Sequence, residues 1–165
     1  MTPPHTRPPL RDVAADAERA SACLVERARA IAEAAHAGQV DKAGAPYFSH
    51  PARVAASLAD APARCAAYLH DVVEDCPGWT LERLAEEGMP AEVIAAVDAL
   101  TKRPGEDDEA YLVRVMANPL AVRVKIADLR DNMNLSRIAR PTRKDFRRLE
   151  KYKRMLPRLE AALKS

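Results

Sequence analysis

At 165 residues, with 48% of them hydrophobic and a formal net charge of +2, the chain is the size of one ordinary domain and long enough to bury a single core. Aromatic residues make up only 4%, and the apolar content is largely Ala, Leu and Val interleaved with Arg and Glu, a mixture dominated by helix formers that predicts an all-α, single-domain protein. No apolar run approaches the length of a membrane span, and Pro and Arg occupy the N-terminus where a signal peptide would carry its apolar stretch, so a cytoplasmic protein without a membrane partner is expected.

Met1 to Arg11 holds four prolines and no apolar periodicity and reads as a disordered tail, so the domain is expected over residues 12–165. From Asp12 to about Ala37, small and apolar residues including Cys23, Leu24, Ala28 and Ile31 recur at helical spacing, and Gly38 supplies the stop. Gln39 to Ser49, with Gly44, Pro46 and two aromatics, reads as an ordered loop. Pro51 suits the first turn of a helix reaching about Asp60, and Pro62 opens another from Ala63 to about Glu74. Thr80 starts a short helix that stops at Gly88, and Pro90 starts one that reaches about Thr101. Further helices are expected from Glu109 to Ala117, from Leu120 to about Ser136 and from Thr142 to Leu163, the last kinked or ended at Pro157. No hairpin or internal repeat is evident.

The three cysteines, Cys23, Cys65 and Cys76, show no closely spaced metal pair and read as reduced thiols, with Cys23 and Cys65 filling helix faces. Charge is unevenly spread. Up to Val122 the chain has 12 basic and 19 acidic residues, and beyond it 14 basic and 5 acidic. That polarity suits an anionic ligand or attraction between the two halves.

The strongest local feature is Tyr68-Leu69-His70-Asp71-Val72-Val73-Glu74-Asp75, where polar groups interrupt an apolar helical stretch. On a helix Asp71, Glu74 and Asp75 share one face and repel one another, a penalty that a bound cation removes. An adjacent His and Asp also arises by chance, with the acids as a solvated face. Two further features count against chance: His50 precedes Pro51 at a predicted helix start, and Asp128 lies inside the apolar run from Val122 to Met133, one helical turn before Asn132. Two imidazoles and two carboxylates suit a divalent transition metal, Mn²⁺ first, with Fe²⁺, Co²⁺ or Zn²⁺ also compatible.

His50, His70-Asp71 and Asp128, in this order on separate predicted helices, resemble the HD superfamily of metal-dependent phosphohydrolases. More closely, Ala35-His36-Ala37-Gly38-Gln39, Lys42 through Pro51, Leu69 through Asp75 and Lys125-Ile126-Ala127-Asp128 are similar to the hydrolase domain of RelA/SpoT proteins and their small stand-alone relatives. The resemblance implies an HD-type helical bundle that uses Mn²⁺ to remove pyrophosphate from the 3′ position of guanosine tetra- and pentaphosphate. It also implies metal binding by His50, His70, Asp71 and Asp128, water orientation or activation by Glu74 and Asp75, and substrate contacts from Lys42 and Asn132. His36 is expected to be structural. No nucleotide-synthesising segment follows, so no synthetase role is expected.

The departures are local. Asp41 stands where the family has an arginine that lies against the guanine base, Leu129 where a basic residue is common, Asp131 where His or Tyr is usual, and Leu135 where a hydroxyl is common. The metal chemistry is thus expected to be kept while the base and sugar pocket is altered. The basic C-terminal helix, including Arg143, Lys144, Arg147, Arg148 and Lys151, reads as a solvated face or a source of phosphate contacts, with Tyr152 its one substrate candidate. Two alternatives differ in what they predict. A catalytically silent nucleotide-binding regulator would bind without product, and a nucleic-acid-binding protein, disfavoured by the acidic front half, would show strong salt dependence.

Overall fold

The computed structural model describes residues 12–165, and the tail expected over residues 1–11 lies outside them. The described chain is all-α, as its composition predicts, with nine α-helices and one 3-10 turn. Extended backbone pairs only at an isolated antiparallel bridge between Val40 and Pro46 among the described residues. No helix among them is long and apolar enough to cross a membrane.

Helix α1 (Val13–Ala35) begins where the Asp12 side chain accepts the Ala15 N–H at 3.1 Å, and Gly38, at φ 81°, reverses the chain just beyond its end. Only its second half meets the core, through Ala28, Ile31 and Ala32. Cys23 therefore stands exposed, contrary to the sequence expectation, whereas Cys65 is buried as predicted. The loop from Gln39 to Phe48 is ordered by its own backbone: Tyr47 N–H bonds Gln39 O and Asp41 N–H bonds Ala45 O, both at 2.8 Å.

Helix α2 (Ser49–Ala56) starts two residues ahead of Pro51, so His50 lies in its first turn. Helix α3 (Ala61–Leu69), capped by Asp60, packs against α1, α2, α6 and α8. Its buried Ala63, Ala66 and Ala67 are small enough to let those helices approach. The single helix predicted from Ala63 to Glu74 is instead broken at His70–Asp71, and α4 is one turn, Val72–Asp75. The His70 ring bonds the Ala67 carbonyl at 2.6 Å, competing with the helical ladder, and Asp71 takes φ −105°, ψ −4°. The two central site residues thus sit on a joint.

Helices α5 (Leu81–Glu86), α6 (Ala91–Leu100) and α7 (Asp108–Met116) follow, with Thr80 and Asp107 as side-chain caps of α5 and α7. Helix α8 (Pro119–Asn132) ends earlier than the Ser136 predicted, because Asn134 Oδ1 accepts from the Ser136 N–H at 3.1 Å and its hydroxyl at 2.6 Å, which closes a separate 3-10 turn. Helix α9 (Arg143–Lys164) starts on a Thr142/Asp145 capping box and packs on α8 and α7. Pro157 does not end it. The proline is exposed, so the Lys153 carbonyl that it deprives of a donor faces water, while Leu159 on the opposite side is fully buried.

Candidate metal centre and its cavity

Three elements distant in sequence bring their polar side chains together inside the apolar core. α2 supplies His50, the α3–α4 joint supplies His70 and Asp71, and α8 supplies Asp128. His50, His70 and Asp128 are each at most 5% exposed, a setting in which ionisable groups need partners or a cation. One ligand-capable atom from each of His50, His70 and Asp71 lies within 4.8 Å of the others. Asp128 stands beside this trio, its Oδ1 2.9 Å from His50 Nε2 and 3.3 Å from His70 Nε2.

The hydrogen bonds decide which imidazole nitrogen faces the cluster. A backbone carbonyl can only accept, so the bond to Ala67 O places the proton of His70 on Nδ1 and leaves Nε2 with a lone pair. That Nε2 is buried and makes no hydrogen bond, although Asp71 Oδ2 lies 3.0 Å away. Tyr47 donates its hydroxyl to Asp71 Oδ2 at 2.5 Å, and its own burial, followed by the Asp71 charge, raises the phenol pKa so that the proton stays in place.

One cation already answers the acids. Lys125 donates to Asp128 Oδ2 at 2.9 Å. Burial opposes the lysine charge, but Asp128 overrides it and raises the Lys125 pKa. Burial alone would raise Asp128; Lys125 and then His70 hold it well below the usual carboxylate range. Burial likewise opposes charge on His70, and the Asp71 and Asp128 carboxylates outweigh it and raise its pKa. A site whose two converging carboxylates favour positive charge in this way, beside a buried nitrogen with no hydrogen bond, fits a divalent cation.

His50, Asp71 and Asp128 of the cluster line a cavity of about 430 Å³, whose other walls carry the bases Lys42, Arg53, Lys125, Arg137 and Arg148, the acids Asp41, Asp131 and Asp145, and Tyr152. Asn132 also lines it and donates to Asp128 Oδ1 at 3.0 Å. Lys42 lines it too, but its ammonium is paired with the buried carboxylate of Asp145. Glu74 and Asp75 are on α4, one turn from Asp71, exposed and outside the cavity lining. Partial desolvation by the surrounding protein, the leading cause for each, together with neighbouring acids raises their pKa values although both side chains reach solvent. His36 is buried, closes α1, contacts Gln39 Oε1 at 2.9 Å and packs on the Tyr47 ring, a structural placement. Asp41 Oδ1 accepts the N–H groups of Ala43 and Ala45, each at 2.9 Å, and so shapes the loop at the cavity mouth.

Residues 28–159 match the HD domain family, and the probable GTP pyrophosphokinase of Mycobacterium leprae is 35% identical over 136 residues, 74% of this chain. The chain belongs to the HD domain family. A second relative, the guanosine-3′,5′-bis(diphosphate) 3′-pyrophosphohydrolase of Haemophilus influenzae, is 37% identical over 129 residues, 72% of the chain. The chain spans only 17% and 19% of the length of these two curated relatives. A solved structure, described as a metazoan ortholog of SpoT that hydrolyzes ppGpp, shares the fold at a TM-score of 0.67 and 22% identity, over 86% of this chain and 92% of that one. An HD domain implies a divalent metal, and His50, His70 and Asp71 form a possible site for it.

Four residues that surround this candidate centre were given no site role in sequence: Tyr47, Arg53, Lys125 and Asp131. The signal was present for two of them, since Lys125 and Asp131 lie three residues either side of Asp128 and share its helix face. Arg53 and Tyr47 carried no comparable pattern, because their roles depend on how α2 meets α8 and the α3–α4 joint.

Proposed function

We propose that the chain is a metal-dependent phosphohydrolase acting on a phosphorylated nucleotide, with guanosine 3′,5′-bis(diphosphate) as the first substrate to test. One observation carries the reading: two imidazoles and two carboxylates converge in a buried cluster, with Nε2 of His70 making no hydrogen bond, and His50, Asp71 and Asp128 of that cluster line a cavity rich in charged side chains of both signs. His50, His70, Asp71 and Asp128 would hold the metal, Mn²⁺ first, with Fe²⁺, Co²⁺ and Zn²⁺ also matching this ligand set. A divalent cation bound there polarises a phosphoryl oxygen and lowers the pKa of its water.

The chain's own residues do the rest. Ala67 O fixes the His70 ring and Tyr47 the Asp71 carboxylate. Glu74 and Asp75, with raised pKa values, accept the proton of the attacking water, the transfer being relayed by a second water because both lie outside the cavity lining. Arg148 gives the wall positive charge for phosphates, Arg53 and Arg137 being paired with Asp131, while Asn132 and Tyr152 face the nucleotide. Lys42 meets phosphate by exchanging its partner Asp145. A cytoplasmic setting accords with three cysteines that form no disulfide.

The test is a Mn²⁺-supplemented screen of phosphorylated nucleotides with product release followed. Turnover by the native chain and its loss, by more than about 10³-fold, in folded His70→Ala and Asp71→Ala variants is expected; unchanged turnover in either variant rejects the site. The exposure of Glu74 and Asp75 favours one second reading, a regulatory HD domain that binds nucleotide silently. Saturable nucleotide binding without product across the screen would select it.

A further inference from the structure

The two imidazoles of the centre are oriented by different devices. His70 is held by the Ala67 carbonyl, part of the α3 backbone itself. His50, in the first turn of α2, is held by a side chain from another helix: its Nδ1 lies 2.7 Å from Asp131 Oδ2. The same carboxylate is gripped by the Arg53 fork, Nε to Oδ1 at 2.9 Å and Nη2 to Oδ2 at 3.1 Å. Arg137 adds a third donor group, its Nη2 3.3 Å from Oδ1 and 3.0 Å from the Asp131 carbonyl oxygen. The Asp131 side chain is only 13% exposed. A carboxylate surrounded by guanidinium donors can only accept from the ring, so Asp131 favours the arrangement with N–H on Nδ1. The Nε2 of His50 is then left directed at Asp128 Oδ1, 2.9 Å away, and Asp71 Oδ2, 3.9 Å away.

We propose that Asp131 is the positioning residue for His50: by accepting from Nδ1 it fixes the ring and presents Nε2 to the metal, and Arg53 and Arg137 in turn hold Asp131. The inference rests on the metal-centre reading above. Carboxylates in this relation to a ligand imidazole set its tautomer and orientation, and their loss costs metal affinity without removing a ligand. A plain α2–α8 ion pair behaves differently, because deleting it lowers stability and leaves metal affinity alone.

Mn²⁺ affinity of the full chain, read from the electron paramagnetic resonance of the free ion, separates the two, alongside thermal melts of the metal-free protein. Asp131→Ala is expected to bind Mn²⁺ about 10- to 100-fold more weakly. Asp131→Asn keeps an oxygen for Nδ1–H and is expected to stay several-fold tighter than Asp131→Ala. Arg53→Met keeps the acceptor and removes the fork; it is expected to lower the melting temperature while losing less than about tenfold in affinity. Native affinity in Asp131→Ala, or equal losses in the Ala and Asn variants, overturns the positioning role while leaving the metal centre standing. Failure of the native chain itself to bind Mn²⁺ overturns both.

Discussion

Glu74 and Asp75 show how much one turn of backbone decides. They follow Asp71 at helical spacing, yet α4 is so short that both emerge at the surface, outside the cavity lining. If they act as the base, through a water, then Glu74→Gln and Asp75→Asn remove a proton acceptor and leave the metal ligands whole. A fall of about 10²- to 10⁴-fold in kcat with unchanged Mn²⁺ affinity is expected, measured as turnover at saturating substrate. Full activity in both variants would reassign the base. As the proposed phosphate contact, Lys42 predicts a different signature: Lys42→Ala is expected to raise KM more than it lowers kcat. It is also expected to lower stability, because the ammonium is paired with buried Asp145 at the start of α9. At this scale the clustering of the four proposed ligands was legible because His50 and Asp128 stood beside His70-Asp71 in an HD-like order, the pair alone having a chance reading as well. Asp131 was not: read as a departure from the family pattern, it gains meaning only when α2 lies against α8 and His50 Nδ1 reaches it.

Between elements, side chains do much of the joining. Arg114 on α7 donates to the carbonyls of Asp98 and Thr101 at 3.1 and 2.8 Å, capping the C-terminal end of α6, and forks onto Glu106. Arg114→Ala uncovers those carbonyls and is expected to destabilise by about 2 kcal/mol in urea unfolding, with Mn²⁺ affinity retained. Asp108, at the start of α7, joins Lys102 beyond α6 to Lys151 on α9 at 2.7 and 2.8 Å. Hydrogen bonds from Lys102, then Lys151, bring its pKa down to about 2. A carboxylate depressed on folding stabilises above its unfolded pKa of about 3.9. That contribution fades as pH falls through the folded value. Asp108→Asn is therefore expected to cost about 0.5 kcal/mol at pH 6, the group being largely solvated. The difference should narrow between about pH 4 and about pH 2. A gap that widened on acidification would contradict the pairing. Most helices were legible from their capping residues. The break at His70–Asp71 was not, since a ring bond to the Ala67 carbonyl leaves no mark in apolar periodicity. Nor was the survival of α9 through Pro157, which depends on which side faces water.

For the whole molecule, the centre lies where three separately folded segments converge: α2, the α3–α4 joint and α8. The all-α class was legible from composition, but this convergence is tertiary and follows from the small alanines of α3 that let α2 and α8 close around it. In the unfolded chain nothing holds His50 and Asp128 beside the adjacent His70 and Asp71, so binding free energy adds directly to folding. Without a cation the carboxylates of Asp71 and Asp128 face Lys125, the imidazoles and the neutral donors Tyr47 and Asn132. At Mn²⁺ one hundred times above its dissociation constant, the folded state gains about 2.7 kcal/mol. For a chain of 165 residues that is roughly 5–10 °C in melting temperature. Thermal melts in Mn²⁺ and in a chelator should therefore differ by that amount. Asp71→Ala and His70→Ala should each shrink the difference, because each removes a ligand without touching the outer helices. Equal shifts in the native chain and in Asp71→Ala would place the stabilising ion elsewhere and remove the physical basis for assigning these residues to a metal.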